Sequence, residues 1–137
     1  MNCIFCKILN GEIPSNKVFE NDNFIAILDA FPASEGHTLV IPKKHYENIF
    51  EIDEDTLKEG YAIAKKIANS IKKSLSVEDI NILQNNGALA GQTVNHFHIH
   101  IIPRKENDKI VIKSEQINID NNRINEILNS IKDNQFF

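Results

Sequence analysis

Residues 95–103 read NHFHIHIIP and hold three of the chain's five histidines. His96, His98 and His100 alternate with Phe97, Ile99 and Ile101. Successive side chains of an extended strand point to opposite faces, so this spacing gathers the three imidazoles on one side and the three apolar groups on the other. The apolar side belongs to a core. A strand is expected from about residue 96 to 102, its Phe97/Ile99/Ile101 face under a helix and its imidazole row lining something else.

Outward from this stretch, NNGALAGQT (85–93) reads as a Gly-containing loop and INILQ (80–84) as the strand before it. Upstream lies a long helix capped by Asp53 and running to about Leu75, with apolar positions 57, 61, 64, 67, 68, 71 and 75 as its stripe. TLVIP (38–42) reads as a short buried strand closed by Pro42, and DAFPASEGH (29–37) as a loop. VFE and FIAIL, separated by Asn21-Asp22-Asn23, read as a hairpin. NCIFCKILNG carries helical spacing that stops at Gly11. Downstream, KIVIK (109–113) is a candidate strand, and Ile124, Ile127, Leu128 and Ile131 mark a final helix from about Asp120. Short strand connections around one long helix favour an α+β fold with an antiparallel sheet.

A chain of 137 residues suits one domain. Its net charge of −4 argues against general attraction to nucleic acid or an anionic membrane, so phosphate must be bound by a local site. Its apolar runs are too short to cross a bilayer, and MNCIFCKILNGEIP lacks the pattern of a signal peptide. The expected location is the cytoplasm.

Three chemistries fit the histidine row. It could be a solvated strand face. It could bind metal, although a row about 13 Å long at roughly 3.3 Å per residue cannot close on one ion, so at most two of its members would share it. Or a neutral imidazole could attack phosphorus while a second imidazole and backbone N–H groups of Ala90-Gly91-Gln92-Thr93 stabilise the phosphate oxygens. The loop just ahead of the row favours phosphate chemistry. Cys3 and Cys6 form C-x-x-C, half of a zinc site or a redox pair; a disulfide is disfavoured in a reducing cytosol. The Lys43-Lys44 pair reads as a solvated strand end.

HFHIHII resembles the His-φ-His-φ-His-φ-φ signature, φ being apolar, of the histidine triad (HIT) family. CIFCKILNGEIP, VFENDNFIAILDAFP, GHTLVIPKKH and NNGALAGQTVNHFHIH extend the likeness, in family order, over nearly the whole chain. The resemblance is to the nucleotide-binding, purine nucleoside phosphoramidase branch, in bacterial or archaeal style because of the C-x-x-C and the helical tail. It implies an antiparallel five-stranded sheet with one long helix, a short N-terminal helix and a C-terminal helix. It also implies a single HIT domain over 1–137, with 104–137 as an extension.

The implied activity is attack by His98 on the α-phosphorus of a purine nucleoside phosphoramidate or adenylated compound, through a nucleotidyl-histidine that water hydrolyses. His100 and His37 match phosphate-side histidines, and Asp29 matches the carboxylate that holds the ribose hydroxyls. Asn85, Gly91, Gln92 and Thr93 match positions around phosphate and leaving group; turn chemistry explains them too. Phe5, Ile8 and Ile27 match the base pocket; core packing explains them equally. In zinc-bearing relatives the partners of the two cysteines correspond to His45 and His96, which implies a structural zinc on Cys3, Cys6, His45 and His96 and no organic cofactor. A homodimer is implied by the same resemblance. The rival functions are a dinucleoside polyphosphate hydrolase, a nucleotide-binding regulatory protein and a zinc-dependent metallohydrolase.

Overall fold

The computed structural model describes residues 2–135. After helix α1 (Ile4–Leu9), strands β1 (Lys17–Glu20) and β2 (Phe24–Leu28) form a hairpin, followed by β3 (Thr38–Pro42) and the long helix α2 (Glu54–Leu75). Strand β4 (Asp79–Leu83), a single 3-10 turn at Ala88–Ala90, β5 (Ile99–Arg104) and helix α3 (Asn121–Asp133) complete the order. The five strands make one sheet in the order β1-β2-β3-β5-β4, every neighbouring pair antiparallel. This is the α+β architecture expected.

Local chemistry explains the elements. The Asn21 side-chain oxygen accepts from Asn23 N and Phe24 N (2.9 and 2.7 Å), closing the hairpin turn as an Asx motif. The Asp53 carboxylate accepts from Thr56 N (3.0 Å) and starts α2. The Asp120 side chain does the same for α3 through Arg123 N (2.9 Å).

Register gives the sheet two different faces. Ala26, Val40 and Ile99 are cross-strand neighbours, and with Phe24, Phe97 and Ile101 they pack against Ile63, Ala64, Ile67 and Ile71 of α2. Each of these isoleucines, removed from water, contributes about 1.5–3 kcal/mol. Ile27, Leu39 and His100 are aligned on the opposite face, where Ile25, Ile41 and Phe5 join them under α1.

Three expectations need correction. The stripe of α2 is centred on Gly60, Ile63, Ala64, Ile67 and Ile71, while Tyr61 and Leu75 are 40% exposed. Gly60 sets this rotation, because a Cβ there would stand 3.0 Å from the Phe24 ring, so the helix makes its closest approach at the residue without a side chain. The histidine strand starts later than expected: only His100 lies within β5. His96–His98 lie ahead of the ladder, the chain bending through His96, and are tied to the 43–50 loop by Phe97 N donating to Tyr46 O at 2.7 Å. KIVIK forms no strand. Both edges of the sheet are β1 and β4, and residues 109–113 pair with neither.

Candidate active site

His98 is the best-defined group of the site. Its Nδ1 is 2.7 Å from the carbonyl oxygen of His96. A carbonyl only accepts, so the proton of a neutral ring sits on Nδ1 and the lone pair is on Nε2. Burial pushes the His98 pKa below its ordinary value, which keeps the ring neutral near pH 7. Phe5 meets the ring edge-on, centroids 5.0 Å apart, and His100 stands 4.8 Å away on the other side.

A chain of hydrogen bonds assigns the next two rings. Ala33 N donates to His37 Nδ1 (3.0 Å), so the neutral His37 carries its proton on Nε2. Burial lowers the His37 pKa, with Asp29 opposing. His37 Nε2 is 2.9 Å from His100 Nδ1 and donates to it, leaving Nε2–H as the donor of His100. Desolvation and the neighbouring His98 hold His100 near a pKa of about 4. Asp29 Oδ2 lies 3.5 Å from His37 Nε2, and its Oδ1 accepts from Phe31 N at 2.9 Å. The three side chains Asp29, His37 and His100 are close enough to suggest a metal site. The Ala33 contact argues against it: a neutral His37 has no lone pair to give from Nε2.

His98 and His100 line a cavity of about 530 Å³ together with Phe5, Ile8, Ile27, Asp29 and Thr93, all named from sequence. That size is ordinary for a small-molecule site. The walls also include Ile13, Pro14, Leu28, Phe31, Leu39 and Val94, which sequence reasoning missed. Leu39 was legible as the inward neighbour of the histidine row; Phe31 carried no periodic signal.

The loop before the row is stiff. Gly87 and Gly91 have φ of +93° and +91° on either side of the 3-10 turn, a region that disfavours any side chain. Gln92 is buried: its Oε1 accepts from Gly87 N (2.8 Å), and its Nε2 donates to Glu47 O (2.7 Å) and Val94 O (3.1 Å). The side chain thus braces the loop, with its amide committed to backbone. Asn86 does likewise, accepting from Ile49 N at 2.8 Å. Half-buried Asn85 lies beside Gly91, off the wall of the cavity. Lys43 pairs with Glu20 at 3.0 Å and Lys44 lies over the Tyr46 ring, so the pair faces away from phosphate chemistry.

His96 turns the other way. Its Nε2 donates to Pro42 O (2.8 Å), leaving Nδ1 as the lone-pair atom. That Nδ1 is 3.4 Å from Cys3 Sγ, 3.6 Å from Cys6 Sγ and 3.1 Å from His45 Nδ1. Cys6 Sγ is 3.4 Å from His45 Nδ1. A tetrahedral zinc with bonds of roughly 2.0 Å to nitrogen and 2.3 Å to sulfur has edges of about 3.3 Å (N···N) and about 3.5 Å (S···N). The four separations above fit that figure, all four donor atoms lie within 4.8 Å of one another, and the Pro42 carbonyl fixes the ring as an outer partner of a metal-ligating histidine should. Burial and the adjacent Cys3 push the Cys6 thiol pKa up, as expected for two sulfurs that a cation would have to hold as thiolates. The Cys3, Cys6, His45 and His96 group can therefore bind a metal ion.

Comparison with known proteins decides the family, since the HIT domain matches residues 10–107. The chain belongs to the HIT family. A HIT-like protein of Methanocaldococcus jannaschii is 48% identical over 131 residues, covering 95% of this chain and 98% of the other. Adenosine 5'-monophosphoramidase HNT1 of Saccharomyces cerevisiae is 43% identical, with coverage of 76% and 63%, and adenylylsulfatase HINT3 of Arabidopsis thaliana is 46% identical, with coverage of 78% and 54%. Among solved HIT structures, one from Bacillus subtilis has a TM-score of 0.93 at 38% identity, covering 100% of this chain and 99% of its own. A Zn-bound histidine triad family protein from Mycobacterium smegmatis has a TM-score of 0.77 at 37% identity, covering 84% of each chain. Among the described residues no helix of this HIT protein is long and apolar enough to cross a membrane.

Proposed function

We propose that this HIT protein hydrolyses purine nucleoside phosphoramidates or related adenylated compounds at the α-phosphate. The observation that carries this reading is the tautomer of His98, whose Nε2 lone pair borders the cavity while Nδ1–H is held by the His96 carbonyl at 2.7 Å. Nε2 attacks phosphorus, the bond from phosphorus to the leaving group breaks with its electron pair leaving on that group, which takes a proton from solvent, and the ring becomes a nucleotidyl-imidazolium. The His96 carbonyl stabilises the charge on Nδ1–H. His100 Nε2–H donates to a phosphate oxygen. Water then attacks the same phosphorus, gives a proton back to solvent, releases the nucleoside monophosphate and returns the lone pair to His98. Asp29 offers a carboxylate to the ribose hydroxyls, and Phe5, Ile8 and Ile27 supply apolar wall to the base.

Relatives named for adenylylsulfatase and adenosine 5'-monophosphoramidase activities support a common adenosine phosphate and a variable leaving group. Zinc on Cys3, Cys6, His45 and His96 would fasten α1 to the residues ahead of β5. A cytoplasmic homodimer completes the reading: α3 buries none of its residues, and its apolar stripe Ile124, Leu128 and Ile131 is 45–59% exposed, a surface that a second copy can cover. Size measurement in solution should give twice the chain mass.

The test is mass spectrometry of protein quenched during turnover of adenosine 5'-phosphoramidate. An adenylyl adduct on the peptide containing His98 is expected. Turnover with no adduct there, in rapid-quench samples, rejects the mechanism.

A further inference from the structure

Helix α1 holds two kinds of residue in one turn. Cys3 and Cys6 belong to the metal-binding cluster, and Phe5 between them points into the nucleotide cavity. The Phe5 ring packs edge-on against both His96 (5.9 Å) and His98 (5.0 Å). Cys6 N donates to Cys3 Sγ (3.4 Å), so the first turn of α1 is organised around one of the sulfurs. Ile4 and Ile8, from the same helix, also line the cavity. The opposite anchor, His96, is the residue whose carbonyl holds His98 Nδ1–H. Besides apolar packing of Phe5, Ile8 and Leu9 on the sheet, the Cys3 and Cys6 contacts are what fasten this six-residue helix to the histidine segment.

We propose that Phe5 is a positioning residue through which the Cys3/Cys6/His45/His96 site acts on His98, so that a metal held there tightens nucleotide binding and steadies the nucleophile. The inference rests on the nucleotide site described above. A bound metal fixes the two cysteines on either side of Phe5, and with them the edge contact that limits rotation of the His98 ring. Without metal, α1 retains only its apolar contacts, and the cavity wall and the ring orientation loosen together. Linkage makes the effect reciprocal: whatever factor zinc contributes to nucleotide affinity, nucleotide contributes to zinc affinity.

The experiment is calorimetric titration of the full chain with AMP, zinc-loaded and after chelation, in the unmutated protein, Phe5→Leu and Phe5→Tyr. AMP should bind the zinc-loaded protein about tenfold more tightly than the stripped one, within the usual range of such couplings. Phe5→Leu should reduce that difference to less than about twofold and lower kcat more than it raises KM, while Phe5→Tyr, which keeps the aromatic edge, restores both. In a second arm a chromophoric chelator competes for zinc on loaded protein. AMP should raise zinc affinity in the unmutated chain and not in Phe5→Leu, and this arm needs no metal-free folded protein. Equal AMP affinity with and without zinc overturns the inference and leaves the nucleotide site standing. Full zinc dependence in Phe5→Leu overturns the role of Phe5, and a chain that takes up no zinc overturns the coupling. Failure of the zinc-loaded, unmutated chain to bind AMP rejects the nucleotide site itself.

Discussion

His96 and His98 are two residues apart, both in edge contact with Phe5, yet they present opposite nitrogens. His96 gives Nε2–H to Pro42 O and turns Nδ1 towards two cysteines and His45. His98 gives Nδ1–H to His96 O and keeps Nε2 for the cavity. One ring is left with its lone pair towards the cysteines and the next with its lone pair towards the cavity, and in each case a backbone carbonyl makes the choice. The chemistry of this histidine row is thus written in the carbonyls around it as much as in the imidazoles.

The sharpest way to break the comparison is to remove the proposed nucleophile. His98→Ala should lower kcat for a nucleoside phosphoramidate by about 10⁴-fold or more while AMP still binds, because the remaining walls of the cavity persist. Steady-state kinetics beside calorimetry would check this; retained turnover would contradict it. A smaller loss is expected from His37→Ala, which leaves His100 free to take either tautomer. That variant should lose about tenfold to a hundredfold in kcat, less than the roughly 10²–10³ of deleting an anion-stabilising donor outright, and should show little change in KM.

On the other side of the comparison the effect falls on stability. Purified without chelator, the chain should carry about one zinc, and the C3S/C6S double variant close to none. Stripping the metal should lower Tm by about 10 °C, given the few kcal/mol that a ligand well above its Kd contributes to a domain of this size. Metal analysis and a thermal scan with and without chelator would decide.

The gentlest probe is pH. Burial depresses the pKa values of His37, His96, His98 and His100, the last to about 4, from an ordinary 6.5. An imidazole that attacks phosphorus must be neutral, so with His98 as the proposed nucleophile the acid limb of kcat/KM should lie below pH 6.5. Stability should follow the same direction. The unfolded chain takes up these protons near 6.5 and the folded chain only at lower pH, nearer 4 for His100, so stability is lost as pH falls below about 6.5. Denaturant titrations at pH 7, 6 and 5 would show midpoints that decline in that order.

Much of this was legible in the sequence. The two-residue period of NHFHIHIIP placed Phe97, Ile99 and Ile101 in the core and His100 on the opposite face of the sheet, because a pleated strand alternates its faces. The Asn-rich turn, the Asp53 cap and the stripe of the last helix were equally local signals. Tertiary choices were hidden. Gly60 reads as a weak point in a helix until Phe24 is seen against it. Gln92 reads as a polar ligand for phosphate until its amide is found bonded to Gly87, Glu47 and Val94. KIVIK has the alternation of a strand and lacks a partner.

By itself, then, the sequence determined which side chains share a face, where helices begin and which residue types could do phosphate or metal chemistry, since these follow from the repeat of the backbone and from short-range capping. The tertiary structure alone decided which nitrogen of each histidine is free. That depends on carbonyls such as Pro42 O, 54 positions away from the His96 it orients, and chain folding alone brings such groups together.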